Sequence, residues 1–209
     1  MIFQIDNVKT INNELKQEMF ALRKHVFCDM LLWDIPHCDG QEADIFDFTN
    51  AYYINWLDEQ DGSLLGSVRL IPMTQNNLLN TVFKDTIDVN KLAQIENNPR
   101  VWEGARLCLN EQIVQARFGS EGLYWLLYGL QLCCEDMGIQ TLICNCDSLM
   151  YRIYRRLGLT FKPLGKTGQF RHGTVHCLSF EICAQNKAIL KRLLPDNATD
   201  LNLRCSAAA

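Results

Sequence analysis

The stretch that decides the fold runs from Gly122 to Gly158 and reads GLYWLLYGLQLCCEDMGIQTLICNCDSLMYRIYRRLG. Residues Gly122–Met137 are strongly apolar and are followed by a glycine, which predicts a buried helix with a glycine stop. Thr141–Cys146 has the composition of a buried strand, and Ser148–Leu157 predicts a second helix that is again followed by a glycine. A strand between two helices indicates an α/β protein.

The same signals continue toward both ends of the chain. Apolar residues spaced three or four apart predict a helix over Asn13–Leu31, and Trp33–Gln41, which contains a proline and a glycine, predicts a loop. The other predicted strands are Met1–Ile5, Ala51–Leu57, Ser63–Ile71, Arg100–Leu109, Leu159–Pro163 and Thr174–Ile182, with short helices at Leu78–Phe83 and Val89–Ile95. We therefore predict a single-domain, mixed-sheet α-β-α sandwich over residues 1–194 and a loose C-terminal tail over residues 195–209.

The composition is that of a soluble globular protein, because 48% of the 209 residues are hydrophobic and 21% are charged. A net charge of -4 and a pI of about 5.6 argue against a nucleic-acid partner, which requires a basic face. No apolar run is long enough to span a membrane, and Met1–Ile5 lacks the features of a signal peptide. We therefore expect a cytoplasmic protein that does not insert into a membrane.

The ten cysteines do not form the pattern of a disulfide framework or a metal site. Cys133-Cys134 and Cys144-x-Cys146 lack the C-x-x-C spacing, so we expect reduced thiols that pack in the core. His172-x-x-x-His176 and His37-Cys38 have no third ligand at a recognised spacing. We expect no metal.

Charged residues interrupt apolar segments in several places, which is costly unless the charges pair with one another or with a charged ligand. They are Arg23, Asp44, Asp47, Arg69, Glu103 and Arg106. Their recurrence indicates one site for a small zwitterionic molecule. Each also has an ordinary interpretation as a solvated helix residue, a turn cap or a surface residue, and the nearby Trp33 could simply cover the edge of the core.

Glu103 and Arg106 have opposite parity in their predicted strand, so a regular strand would send them to opposite faces. Gly104 lies between them, and a bulge there would bring both side chains toward one cleft. The alternative is that both are surface residues that flank a core Trp102.

The order of these residues resembles the acyl-homoserine-lactone synthases, the autoinducer synthases of bacterial quorum sensing. The motifs that carry the resemblance are Leu22-Arg23-x-x-Val26-Phe27, Trp33, Glu42-x-Asp44-x-Phe46-Asp47, Gly66-x-x-Arg69-Leu70-x-Pro72 and Trp102-Glu103-x-x-Arg106. They extend over roughly residues 1–185. Ala43, Gly104-Ala105 and Leu107 depart from the usual residues of the family, which affects the expected shape of the pocket more than its chemistry.

The resemblance implies a fold related to the GNAT acyltransferases, with a sheet splayed to admit an acyl carrier. It implies two substrates, S-adenosylmethionine and an acyl thioester, and no cofactor. The residues expected to bind S-adenosylmethionine are Arg23, Phe27, Trp33, Asp44, Asp47 and Arg69. Glu103, as general base, and Arg106 are the expected catalytic residues.

The acyl chain is expected to lie along the strand Thr141–Cys146 and the helix after it. The expected lining residues are Trp102, Cys144, Cys146, Met150 and Ile153. Family members that select 3-oxo chains often have a threonine in this strand, and here Cys144, Asn145 and Cys146 occupy the region. This favours an unsubstituted or otherwise atypical acyl group.

Arg152, Arg155 and Arg156 would share one helix face, since they are spaced by three and four residues. This basic face is the expected docking site for an acidic acyl carrier protein, and its alternative interpretation is a solvated helix surface.

The alternative function is another GNAT-type N-acyltransferase that uses coenzyme A thioesters. Arg155-x-x-Gly158-x-Thr160 is the nearest match to the pyrophosphate-binding loop of such enzymes, and it fails at its last position. This favours a carrier-protein donor without eliminating acyl-CoA. A third possibility is a ligand-binding protein without catalytic activity.

Overall fold

The computed structural model describes residues 1–170, 173–195 and 201–205, and the chain folds as two compact units. Unit 1 comprises residues 1–69, 106–133 and 193–209, and unit 2 comprises residues 70–105 and 134–192. Two strands, Leu64–Pro72 and Val101–Leu109, each begin in one unit and end in the other.

Unit 1 contains a set of paired strands and several helical segments that connect them. Its strands lie in the order β9-β1-β2-β3, where β1 is Ile2–Asn7, β2 is Tyr52–Leu57, β3 begins at Leu64 and β9 is Asn202–Cys205. Its helical segments are α1 (Asn13–Arg23), a π-helix (Lys24–Met30), a 3-10 helix (Ile45–Phe48), α3 (Glu111–Phe118), a 3-10 turn (Gly119–Glu121) and most of α4 (Gly122–Asp136).

Unit 2 contains a second set of paired strands, in the order β4-β5-β8-β6, with β7 also paired to β8. These strands are β4 (Val101–Leu109), β5 (Thr141–Asp147), β6 (Phe161–Pro163), β7 (Gly168–Phe170) and β8 (Gly173–Glu181). The helices are α2 (Val89–Ile95), α5 (Ser148–Arg156) and α6 (Ala184–Arg192), with a 3-10 turn at Lys84–Thr86. Because β4 and β5 are parallel while β5 and β8 are antiparallel, the predicted α/β class with a mixed sheet is confirmed.

The pairing of β4 with β5 is short and involves only three residues of each strand. It covers Val101–Glu103 and Thr141–Ile143, after which β5 continues to Asp147 with β8 as its described partner. Residues 144–147 are all partly exposed although β5 is an interior strand. Beyond Ile143, the edge of β5 on the β4 side has no strand partner among the described residues, and we call this part of β5 its open end.

Most of the predicted elements are present, but the structure corrects three predictions. The predicted helix Leu78–Phe83 is a series of turns, because side chains take the backbone groups that a helix would pair: Leu78 N–H donates to the Glu103 carboxylate at 2.9 Å and the Asn77 carbonyl accepts from the Thr81 hydroxyl. Helix α3 was not predicted, since Val114 is its one buried residue and no apolar stripe marks it.

The third correction concerns the tail. Asn202–Cys205, within the segment expected to be loose, forms β9 and pairs in parallel with β1. The Asn202 N–H donates to the Met1 carbonyl at 2.9 Å. An edge strand presents a row of unpaired backbone groups, and β9 satisfies those of β1. Residues 196–200 and 206–209 lie outside the described part of the chain.

Helix α4 packs against β1 through a glycine. A Cβ atom added at Gly129 would lie 2.1 Å from the ring of Phe3, which is fully buried and stacks on Trp56 with ring centroids 5.8 Å apart. The absence of a side chain at position 129 is what allows this close approach.

We predict that Gly129→Ala destabilises the protein, although alanine in a helix normally stabilises by about 1 kcal/mol relative to glycine. Overpacking against Phe3 should lower the free energy of unfolding by about 1–3 kcal/mol, measured by urea denaturation. Phe3→Leu in the same chain should recover part of that loss, since it removes the clash. A more stable single variant would contradict the packing described here.

Candidate active site

Unit 1 brings six charged side chains from four separate segments into one network of ion pairs. The network contains three guanidinium groups and three carboxylates, which are Arg23, Glu42, Asp44, Asp47, Arg69 and Arg106. The charged residues expected to bind S-adenosylmethionine were Arg23, Asp44, Asp47 and Arg69. The structure brings all four together with Arg106, which was expected to be catalytic. The alternative interpretations of Arg23 and Arg69 as solvated residues are wrong, because their side chains are 1% and 0% exposed. Asp44 and Asp47 do cap a turn, as their alternative interpretation held, and they bind the arginines as well.

Asp47 is the centre of this network. Its fully buried carboxylate accepts from Arg23 Nη1 at 2.8 Å and Nη2 at 2.9 Å, from the Asp44 backbone N–H at 2.8 Å and from the Tyr53 hydroxyl at 2.9 Å. Arg69 Nη1 lies 3.0 Å from its second oxygen. Burial by itself would raise the pKa of Asp47, but Arg23 and Arg69 outweigh it and hold that pKa below its ordinary value.

Glu42 joins two arginines and was missing from the expected site residues. It accepts from Arg23 Nε at 2.7 Å and from Arg106 Nη2 at 3.0 Å. Its side chain is 1% exposed, so its charge is compensated entirely within the protein. Its place in the Glu42-x-Asp44 motif was the available sequence signal, while the role of Tyr53 had none, because a tyrosine in a strand is typical of an ordinary core residue.

Exposure divides the network into two layers. The side chains of Arg23 and Glu42 are each 1% exposed, and those of Asp47 and Arg69 are 0% exposed. Asp44, at 18%, and Arg106, at 11%, are the members that solvent reaches. A polar ligand can therefore contact Asp44 and Arg106 directly, while the other four hold these two in place.

The arginines differ in the donors that they have left. Arg23 uses Nε, Nη1 and Nη2 in contacts with Glu42 and Asp47. Arg69 donates from Nη1 to Asp44 at 2.6 Å, while its Nε and Nη2 have no hydrogen-bond partner within the described residues. A buried unpaired guanidinium donor is unusual in a native protein, and it indicates that a ligand or an ordered water supplies an acceptor.

Two aromatic rings adjoin the open layer. Phe27 stacks on Trp33 with ring centroids 4.9 Å apart, and Arg106 Cζ lies 5.6 Å from the centroid of the Phe27 ring. The predicted helix Asn13–Leu31 changes at Lys24 from an α-helix to a π-helix, in which the Leu31 N–H donates to the Val26 carbonyl. Such wide turns often occur at functional sites, and this one carries Phe27.

The backbone of β4 is irregular at Arg106 and not at the predicted position. Arg106 has a φ of +57°, a conformation that non-glycine residues rarely adopt, while Gly104 has no positive φ. Strained backbone of this kind is stable only when the surroundings impose it, and the contacts of Arg106 with Glu42 and Asp44 do so. That Glu103 and Arg106 face one cleft stays a prediction.

Glu103 belongs to unit 2 and is 1% exposed. Its Oε2 accepts from the Leu78 backbone N–H at 2.9 Å, and Glu103 pairs with Ile143 of β5. Ile143 packs in an apolar cluster with Val101 and Cys177. The alternative interpretation of Glu103 as a surface residue is wrong, because the residue is buried.

Three of the expected acyl-lining residues share the opposite face of this sheet. Trp102 pairs with Leu142, and Cys144 and Cys146 follow Leu142 at the two-residue period of a strand. Helix α5 covers this face, since Tyr154 contacts Phe180 and Tyr151 stacks on His176, which are the β8 partners of Leu142 and Cys146. The other two expected residues, Met150 and Ile153, lie on α5.

The buried thiols are held in their protonated form. Burial raises the pKa of Cys108, Cys134 and Cys177 to about 12. A hydrogen bond between the Cys144 and Cys146 side chains, followed by burial, raises the pKa of the Cys144 thiol well above its ordinary value. These cysteines are poor nucleophiles at neutral pH, because the thiolate is the reactive form.

The expected docking residues are exposed on α5. Arg152, Arg155 and Arg156 all face solvent, and Arg155 Cζ lies 6.0 Å from the centroid of the Tyr151 ring.

The described part of the chain contains no group of three side chains that could hold a metal ion. Of the candidate ligands considered from the sequence, this part includes His37, Cys38 and His176, while His172 lies outside it. In that same part, every helix is too short or too polar to cross a membrane.

A family model described as autoinducer synthase matches residues 6–189 of the chain. The chain belongs to the autoinducer synthase family. An acyl-homoserine-lactone synthase from Rhizobium etli is 30% identical over 185 residues, which cover 85% of this chain and 84% of that protein. One from Aeromonas salmonicida is 30% identical over 158 residues, covering 73% of this chain and 72% of that protein. The family expected from the ordered motifs is confirmed, and so is the enzyme class, an acyltransferase.

Solved structures support the same fold. The CoA-dependent acyl-homoserine lactone synthase BjaI, solved with MTA, superposes with a TM-score of 0.78 at 20% identity and covers 96% of this chain and 92% of its own. The synthase LasI gives a TM-score of 0.76 at 23% identity, covering 90% and 93%. A Lactobacillus plantarum protein described as an N-acetyltransferase gives 0.54 at 13% identity, covering 88% and 100%, so the expected resemblance to the GNAT fold is confirmed.

We predict that Tyr53→Phe lowers the free energy of unfolding by about 1 kcal/mol, because it removes the hydroxyl that donates to the buried Asp47. The matched control is Tyr52→Phe, since Tyr52 is the adjacent residue of β2 and points to the other side of the strand. Urea denaturation of both variants should separate them. Wild-type stability in Tyr53→Phe would show that the Tyr53 hydroxyl does not support the network.

Proposed function

We propose that this enzyme makes an acyl-homoserine lactone from S-adenosylmethionine and an acyl thioester. The observation that carries this proposal is the two-layer charge network beside a stacked aromatic pair. A buried set of balanced charges presents one carboxylate, on Asp44, and one guanidinium, on Arg106, at its surface. An amino acid carries the complementary ammonium and carboxylate.

The polar end of S-adenosylmethionine fits this surface. We assign its ammonium to Asp44 and its carboxylate to Arg106, because these are the exposed members of opposite sign. Arg69 lies beneath this surface and holds Asp44 in place through its Nη1 contact at 2.6 Å. Phe27 and Trp33 would then favour the positively charged sulfonium by cation–π attraction.

The proposed reaction has two steps. Glu103 takes a proton from the ammonium, and the resulting amine attacks the thioester carbonyl, so that a C–N bond forms and the C–S bond breaks to release the thiol. The methionine carboxylate then attacks its own γ-carbon and breaks the bond to the sulfonium sulfur. This closes the lactone and releases methylthioadenosine. The sulfonium loses its positive charge and the carboxylate its negative charge, so no further reactant is needed.

Turnover with both substrates tests this function directly. Purified enzyme should release methylthioadenosine and form an acyl-homoserine lactone, detected by mass spectrometry. An N-acylated product without methylthioadenosine release would support the alternative of another GNAT-type N-acyltransferase. Binding of S-adenosylmethionine with no turnover on any thioester would contradict the proposal.

We predict that Glu103→Gln keeps S-adenosylmethionine binding and lowers turnover by about 10²–10⁴-fold, as loss of a general base typically does. Methylthioadenosine release should be measured at saturating substrate and from pH 6 to about 9, because a higher pH supplies the free amine and should recover part of the rate. Near-wild-type turnover at neutral pH would remove Glu103 from this role.

The donor is proposed to be an acyl carrier protein, with acyl-CoA as the alternative. The three exposed arginines of α5 form a local basic face on an acidic protein, which suits an acidic carrier. BjaI and another solved synthase, MesI, are described as CoA-dependent, but at 20% and 19% identity they support the fold alone.

We predict that Arg152→Glu with Arg156→Glu raises the KM for acyl carrier protein substrate and leaves the KM for S-adenosylmethionine unchanged. Surface charges act mainly through association rate, so added salt should slow the wild type more than the variant. The control is Lys191→Glu with Arg192→Glu, an equal charge change in the last turn of α6. An unchanged KM for the carrier substrate at low salt would exclude docking at this face and favour acyl-CoA.

A further inference from the structure

The open end of β5 has a polar residue on the same side of the strand as Glu103. Glu103 pairs with Ile143, and Asn145 follows Ile143 by two residues, so the alternation of a strand places both on one face. Asn145 pairs with Cys177, which packs with Ile143 in the apolar cluster of that face. Asn145 therefore lies just beyond Glu103, where β4 has left β5 open.

The hydrogen bonds around Thr86 fix how the Asn145 amide is used. The Thr86 hydroxyl lies 2.7 Å from the Phe83 carbonyl and 2.9 Å from the Asn145 amide. A hydroxyl has one proton, and the shorter contact, with a carbonyl that can only accept, takes it. The Asn145 amide must then donate an N–H to Thr86, which requires the orientation that exchanges its oxygen and nitrogen positions.

This orientation leaves the amide oxygen of Asn145 as the atom in need of a partner. The end of the amide that points away from Thr86 is buried and has no hydrogen-bond partner among the described residues. A buried polar atom without a partner is costly, so such an atom beside an open strand edge indicates that a ligand completes it.

The acyl group is the ligand that the proposed function brings to β5. A methylene chain offers nothing to the amide, and a keto oxygen can only accept, so it could bond the amide N–H but not the oxygen. A hydroxyl can donate to the oxygen, and it would also satisfy the amide in the opposite orientation. The hydroxyl is thus the substituent that fits Asn145 in either orientation.

We propose that Asn145 determines acyl specificity by accepting a hydrogen bond from a hydroxyl group near the thioester end of the acyl chain, so that hydroxyacyl donors are the preferred substrates. The inference rests on the proposed function. It also differs from the sequence-based expectation of an unsubstituted chain. Cys144 and Cys146 lie on the other face, and their small, weakly polar side chains suit the alkyl remainder of the chain.

The test compares 3-hydroxyoctanoyl, 3-oxooctanoyl and octanoyl thioesters, each on coenzyme A and on acyl carrier protein, by methylthioadenosine release. We expect kcat/KM for the hydroxyacyl donor to exceed that for the octanoyl donor by about ten- to a hundredfold, since a site built for a hydroxyl leaves a polar atom unpaired when it is absent. Asn145→Leu should abolish this preference while it retains or raises activity on octanoyl thioester. Cys144→Ala, the neighbouring change on the other face, should preserve the preference.

Three results would overturn the inference. Equal kcat/KM of the wild type for all three donors would show that Asn145 does not read the substituent. An equal loss for all donors in Asn145→Leu would show that the residue serves the fold or the carrier arm. No methylthioadenosine from any donor would overturn the proposed function itself, which distinguishes the two failures.

Discussion

The buried Asp47 carboxylate is the interaction on which the rest of unit 1 depends. It carries a negative charge at a position without solvent, and the structure compensates it with a bidentate contact from Arg23 and a close contact from Arg69. Removal of one partner from such a set leaves an uncompensated buried charge, which typically costs about 3–5 kcal/mol. The segments that supply these charges are therefore fixed relative to one another within the unit.

This constraint explains local features that are otherwise unfavourable. Asp47 caps the short helix Ile45–Phe48 together with Asp44, so the same two carboxylates order the loop and bind the arginines. The π-helix that follows Arg23 and the positive φ of Arg106 each depart from regular structure where a residue contacts the network or its aromatic cover. The network therefore has two parts. Its buried members balance one another in charge, and its two partly exposed members, the carboxylate of Asp44 and the guanidinium of Arg106, are available to a zwitterionic substrate.

The sequence was sufficient for the family and for most elements, because regular helices and strands leave periodic signals and the charged motifs are short and ordered. It was insufficient where the outcome depends on contacts between distant residues. The roles of Glu42 and Tyr53 arise from such contacts, and so does the loss of the predicted helix at Leu78, whose N–H binds Glu103. The irregular backbone of this strand was predicted at Gly104, two residues before Arg106, because glycine is the usual site of a bulge and the ion pairs of Arg106 leave no signal in the sequence.

The most direct test of this account compares Asp44→Asn with Asp47→Asn, measuring the free energy of unfolding by denaturation and the affinity for S-adenosylmethionine by calorimetry. The account predicts that Asp44→Asn weakens the affinity at least about tenfold with little loss of stability, since Asp44 is the exposed carboxylate and asparagine still caps the helix. Asp47→Asn should instead lower stability by about 3–5 kcal/mol. Wild-type affinity in Asp44→Asn, or wild-type stability in Asp47→Asn, would contradict the division of the network into a buried support and an exposed contact layer.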